Sequence, residues 1–106
     1  MEKIKENDIQ KQIKDFVKSK WIKIERMQSG CLKVWRAFVH FASSWHPDLV
    51  CYLRWWITLF IEVKRPGWKT SPDQNKYIEE LTLLWFEVIV ADNVDIVKER
   101  LELLWY

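Results

Sequence analysis

The order of periodic segments predicts an α/β (α+β) domain in which a mixed sheet is flanked by helices. Three observations carry this. Residues 57–64 alternate with a period of two, residues 3–19 place apolar side chains at helical spacing, and Ser71-Pro72-Asp73-Gln74 opens a second helix.

With 106 residues, 49% of them hydrophobic and 30% charged, the chain is long enough for one core and too apolar for disorder. A single domain spanning 1–106 is expected. In its first helix, Ile9, Ile13, Phe16 and Val17 recur at helical spacing, with Lys and Asp filling the opposite face. Glu6 lies three residues before Ile9 and projects with the apolar stripe, so its carboxylate could reach a site beneath the helix. An acid in a first turn is equally favoured by the helix macrodipole. Both readings stand.

Ile22–Met27 and Val34–Phe41 read as strands joined by a turn at 28–31. Asp48–Leu53 reads as a further strand, and the short Arg54-Trp55-Trp56 link suits a hairpin to the strand 57–64. In that strand Ile57, Leu59, Ile61 and Val63 share one face, and Thr58, Phe60, Glu62 and Lys64 the other. Ser71 supplies a helix N-cap, Pro72 the first helical position and Gln74 a capping-box residue. Tyr77, Ile78, Leu81 and Leu84 form the stripe of that helix. Phe86–Ala91 is a short buried strand, and Asp92 or Asn93 caps a last helix bearing Val94, Val97, Leu101 and Leu104.

Chemistry concentrates in Pro47-Asp48, followed after thirteen residues by Glu62-Val63-Lys64. Counting back from the hairpin turn, Asp48 and Glu62 sit at comparable distances along neighbouring strands, so their carboxylates converge. Two carboxylates plus phosphate oxygens suit a hard divalent ion, which activates water and offsets charge on a phosphodiester. Lys64, on the same face as Glu62, is placed to stabilise the transition state rather than to act as general base. Isolated Asp, Glu and Lys residues on strands are commonly no more than solvated side chains, so context must decide.

No apolar run reaches membrane-spanning length, because His40, His46, Asp48 and Arg54 interrupt the longest. The first residues lack a hydrophobic signal core, and an intracellular, cytoplasmic location is expected. Cys31 and Cys51 fit neither a disulfide framework nor a zinc site, and read as buried reduced thiols. Residues 1–76 hold 15 Lys/Arg against 8 Asp/Glu, and residues 77–106 hold 2 against 7. A basic face toward a polyanion fits that split, as does plain solubility.

Taken together, Glu6 with Ile9-Gln10, residues 26–30 (Arg26 to Gly30), His46-Pro47-Asp48-Leu49, Ile61-Glu62-Val63-Lys64-Arg65-Pro66-Gly67 and Ser71-Pro72 with Gln74 resemble the VRR-NUC family. These are the virus-type replication-repair nucleases of the PD-(D/E)xK superfamily. The resemblance covers nearly the whole chain and implies a restriction-endonuclease-like αβββαβ core. It implies Mg2+ or Mn2+ bound by Glu6, Asp48 and Glu62, with Lys64 as catalytic lysine and Gln74 as the motif glutamine. It also implies DNA as substrate, often structured or branched, in replication, repair or recombination. Small stand-alone members occur in phages and bacteria. Lys33, Arg36, Arg65 and Lys69 are expected to hold the DNA backbone. A homodimer is expected from the small footprint, with a helicase or other replication protein as a further candidate partner. The alternative is a non-catalytic nucleic-acid-binding module of the same fold.

One departure is systematic. The chain has eight tryptophans and two glycines, against about seven glycines in an average chain of this length. Tryptophan stands where the family pattern has glycine: Trp45, Trp55, Trp56, Trp68 and Trp85, with Trp21 following the first helix. Helix ends and tight hairpins demand left-handed backbone, which costs a residue other than glycine about 1–2 kcal/mol. Exposed indoles also invite aggregation. The expectation is that most or all of the eight tryptophans are UGA codons meaning glycine, read as tryptophan. The competing reading is genuine tryptophans that stack on unpaired bases.

Overall fold

A computed structural model of the chain describes residues 4–27 and 47–106. Within them the order is α1 (Glu6–Ser19), β1 (Lys23–Arg26), β2 (Leu49–Tyr52), a 3-10 turn (Arg54–Trp56), β3 (Thr58–Val63), α2 (Pro72–Leu83), β4 (Glu87–Ala91) and α3 (Val94–Leu103). The expected strand at Val34–Phe41, together with Lys33, Arg36, Cys31, Trp35 and Trp45, lies outside the described residues.

The four strands form one mixed sheet in the order β1-β2-β3-β4. β2 pairs antiparallel with β1 and β3, and β4 runs parallel to β3. The parallel step needs a crossover, and α2 supplies it. Ile9, Ile13 and Val17 of α1 and Val97 and Leu101 of α3 pack with Leu49, Cys51, Leu59, Ile61 and Val63. Val50 and Phe60 meet Tyr77 and Leu81 of α2, along with Met27. The alternation read in 57–64 is therefore real, but both faces of β3 are covered. Glu62 faces the α2 side, like Phe60 two residues before it, and is buried there.

Several boundaries differ from the sequence reading for local reasons. α1 begins at Glu6 because the Lys5 backbone N–H turns to Asp8 Oδ2 at 3.4 Å, so Lys5 is already outside the helix. The α2 stripe is narrower than expected: Tyr77 and Leu81 are buried, whereas Leu84 is exposed as the residue closing the helix. Phe86 does not join β4, because its N–H bonds to the Leu81 carbonyl in the helix cap. Asn93, rather than Asp92, caps α3 by accepting from the Ile96 N–H at 3.2 Å.

All five residues other than glycine with positive φ among the described residues are tryptophans: Trp21, Trp55, Trp56, Trp85 and Trp105. Trp68 is the exception. It has ordinary backbone beside Gly67, whose own φ is +85°, and Arg65 lies 5.7 Å from its ring. No helix among the described residues is long and apolar enough to cross a membrane. Cys51 is free and buried, and burial pushes its thiol up to about 12, which leaves it inert as a nucleophile.

Candidate active site

β2 and β3 carry the site because their register continues past the last paired residues. Leu49 stands opposite Ile61 and Val50 opposite Phe60, which sets Asp48 across from Glu62. The side chain of Asp48 is fixed by the partner strand, where the Val63 backbone N–H donates to its Oδ2 at 2.8 Å. No residue pattern announces that bond. It follows from pairing register, which the symmetric count from the hairpin turn predicts for the two carboxylates but not for the Val63 donor.

Glu62 is the most unusual group among the described residues. It is 5% exposed, and its Oε2 is buried without a hydrogen-bond partner. Its Oε1 meets the Lys64 ammonium at 3.8 Å and a long contact from Gln74 Nε2 at 3.5 Å. Burial pushes the carboxyl up from 4.5 to about 8, and the Asp48 charge adds to that rise. Lys64 opposes the shift without cancelling it, while Glu6 contributes a smaller push in the same direction as burial. Two carboxylates facing each other, one of them buried, are stabilised by a proton or a cation between them.

Gln74 divides its amide between two tasks. Its Oε1 accepts from the Ser71 N–H at 3.0 Å while its own N–H donates to Ser71 Oγ at 3.2 Å, completing the capping box. Its Nε2 is the atom that turns to Glu62. Helix capping and proximity to the site therefore coexist in one side chain, because α2 starts directly above the end of β3.

The remaining expected residues are placed less closely. Glu6 opens α1 half-buried and its charge reaches Glu62, but among the described residues no three His, Cys, Asp or Glu side chains stand close enough to hold a metal together. Arg65 and Lys69 lie on the loop from β3 to α2, next to the site, Lys69 exposed and Arg65 half-buried. Lys33 and Arg36 are outside the described residues.

The donor set suits a hard divalent cation. Asp48 offers carboxylate oxygen, Glu62 has a buried oxygen without a donor, and a cation there would replace the proton that otherwise neutralises the pair.

Comparison with solved structures gives the fold a precedent. The chain is similar to a VRR_NUC domain at 21% identity and a TM-score of 0.70, covering 92% of this chain and 94% of that one. It is similar to a VRR_NUC domain protein at 21% identity and a TM-score of 0.69, covering 95% of this chain and 88% of that one. No family model and no curated protein matches the sequence. The chain thus has the fold of a VRR_NUC domain over nearly its whole length.

Proposed function

We propose that this protein is a metal-dependent DNA endonuclease that hydrolyses phosphodiester bonds in structured or branched DNA, with Mg2+ or Mn2+ as its cofactor. The observation that carries the reading is the buried Glu62 oxygen without a donor, set beside Asp48 and Lys64 at one end of the sheet in a VRR_NUC-like fold.

Asp48 and Glu62 would hold the ion, with Glu6, whose charge reaches Glu62, as a further carboxylate. When bound, a divalent ion supplies Lewis-acid polarisation of the scissile phosphate and activation of water. The chain's own contribution is positional. The Val63 N–H fixes Asp48, and the Gln74 amide restrains Glu62. The Lys64 ammonium, 3.8 Å from Glu62 Oε1, would stabilise the negative charge that grows on the phosphorus-bound oxygens, an effect that the hydrophobic surroundings of β3 would strengthen relative to water. Arg65 and Lys69 would neutralise the neighbouring phosphates and set the register of the strand.

A domain of this size covers little duplex, and a homodimer presenting two sites is part of the proposal, as are an intracellular location and an origin in a phage or bacterium. A helicase or other replication protein is a further proposed partner.

Asp48→Ala tests the reading. It is expected to abolish Mg2+-dependent nicking while leaving DNA binding in Ca2+ measurable. Unchanged nicking by the variant would remove Asp48 from the chemistry. Binding without cleavage by both proteins would favour the non-catalytic module.

A further inference from the structure

All three helices end in the same way, and each ending places a tryptophan where the backbone turns left-handed. After α1, the Trp21 N–H bonds to the Lys18 carbonyl and the Ile22 N–H to Val17. After α2, Trp85 bonds to Thr82 and Phe86 to Leu81; after α3, Trp105 bonds to Glu102 and Tyr106 to Leu101. This is the Schellman motif three times over, with its paired carbonyls and its left-handed residue just past the cap. The apolar contact that accompanies the motif is also present each time. Ile22 and Val17 share one core cluster, Tyr106 packs against the cluster holding Leu101, and Phe86 packs against the one holding Leu81.

The left-handed residue is Trp21 at φ 61°, Trp85 at 71° and Trp105 at 73°. Glycine is the residue that this position selects, since it alone has no Cβ to crowd the carbonyl. The fourth case is the hairpin between β2 and β3. Its two central residues, Trp55 and Trp56, have φ of 63° and 64°, and the Ile57 N–H returns to the Arg54 carbonyl. Consecutive left-handed residues are the requirement of a type I′ turn, which Asn-Gly or Gly-Gly ordinarily fills.

The indoles themselves contribute little to the packing. All five are between 82% and 101% exposed. They also sit at the wrong end of the molecule to serve the site. Lys23 pairs with Tyr52 and Leu59 with Glu87, so the entries to β1 and β4 and the β2–β3 hairpin share one end of the sheet, and Arg54 Nη2 of the hairpin donates to the Trp105 carbonyl at 3.2 Å. Asp48 and Glu62 mark the opposite end, about 15–20 Å away along β3. A platform for stacking unpaired bases would belong beside the scissile phosphate.

We infer that positions 21, 55, 56, 85 and 105 are glycine positions of this fold, occupied by glycine in the functional polypeptide through UGA codons that mean glycine. Of the eight tryptophans, Trp105 is assigned on its backbone, since nothing in its sequence context sets it apart. The backbone of Trp68 makes no such demand. The inference concerns the end of the sheet remote from the active site and stands or falls independently of nuclease activity.

Two measurements test it. The coding triplets at these five positions are expected to be UGA; UGG at all five overturns the inference. Thermal unfolding of the chain with all five changed to glycine is then compared with the same five changed to alanine, both retaining every other residue. At ordinary φ, glycine is the less stable choice of the two, because it loses more chain entropy on folding. At left-handed positions the order reverses, and the glycine chain is expected to melt at least ~10 °C above the alanine chain. A glycine chain melting at or below the alanine chain overturns the inference. The comparison does not depend on the tryptophan chain being soluble.

Discussion

The two ends of the sheet break the ordinary rules of folding in opposite ways. At the end marked by Asp48 and Glu62, backbone geometry is regular and the side chains are the anomaly: a carboxyl is buried, lacks a donor for one oxygen and sits across from a second carboxylate. At the far end the backbone is the anomaly, with five exposed tryptophans in left-handed conformation. The first kind of cost has a chemical return, because facing carboxylates favour a proton or a divalent cation between them. The second has none visible, since an exposed indole neither packs nor reaches the site. A cost with a return marks function, and a cost without one marks a residue that does not belong.

Four perturbations sharpen that contrast. The largest effect is expected from Lys64→Ala, which removes the only cation within 4 Å of Glu62 among the described residues. Cleavage should fall by about 10²–10³-fold, as for loss of one transition-state stabiliser, with DNA binding in Ca2+ nearly unchanged. Single-turnover cleavage measured beside a binding titration separates the two.

Next is pH. The folded Glu62 carboxyl, near 8, lies above its ordinary 4.5, so the folded state holds its proton more tightly than the unfolded chain does. The stabilisation is fully present below about pH 4.5 and is lost as pH rises through about 8. Metal-free protein should therefore lose stability over that window, and Glu62→Gln should flatten the loss. Mg2+ should raise the melting temperature more at pH 8 than at pH 5, since the ion competes with the proton. Denaturant titrations across pH in EDTA and in Mg2+ measure both effects.

At the far end, Trp85→Gly should raise stability by about 1–2 kcal/mol, whereas Trp68→Gly should lower it by about 0.5–1 kcal/mol. Both indoles are exposed, and only the first sits on left-handed backbone. Equal effects in one unfolding series would mean that lost indole surface, and not backbone conformation, governs the outcome.

The smallest effect on stability is expected for Gln74→Glu. Glutamate preserves the capping box, so folding should change by no more than about 0.5 kcal/mol. It also replaces the amide donor to Glu62 with a third acceptor, and cleavage should fall by about 10-fold. Loss of stability without loss of cleavage would leave Gln74 as a cap alone.

Much of this was legible in the residues because periodicity is a direct imprint of geometry. Alternation in 57–64 placed Glu62 and Phe60 on one face, and the Ser71-Pro72-Asp73-Gln74 sequence set the start of α2. The hairpin count brought Asp48 opposite Glu62. The depth of Glu62 was not legible, because alternation says which residues share a face and not whether a helix covers that face. The bond from Val63 to Asp48 was hidden for a related reason: backbone donors carry no residue signature. Cap details also escaped. Phe86 looks like a strand residue by type, yet its N–H closes α2. Trp105, one of the eight tryptophans, has no turn signal in its sequence neighbours, and only its φ of 73° singles it out.

The central claim is that Asp48, Glu62 and Lys64 form a metal-dependent phosphodiesterase site, and cleavage of linear, flap and four-way DNA by the intact protein tests it most directly. Products in Mg2+ or Mn2+ and none in EDTA are the predicted result, with Lys64→Ala nearly silent under both conditions. Absence of cleavage on all three substrates in either ion, by protein that binds them, would contradict it.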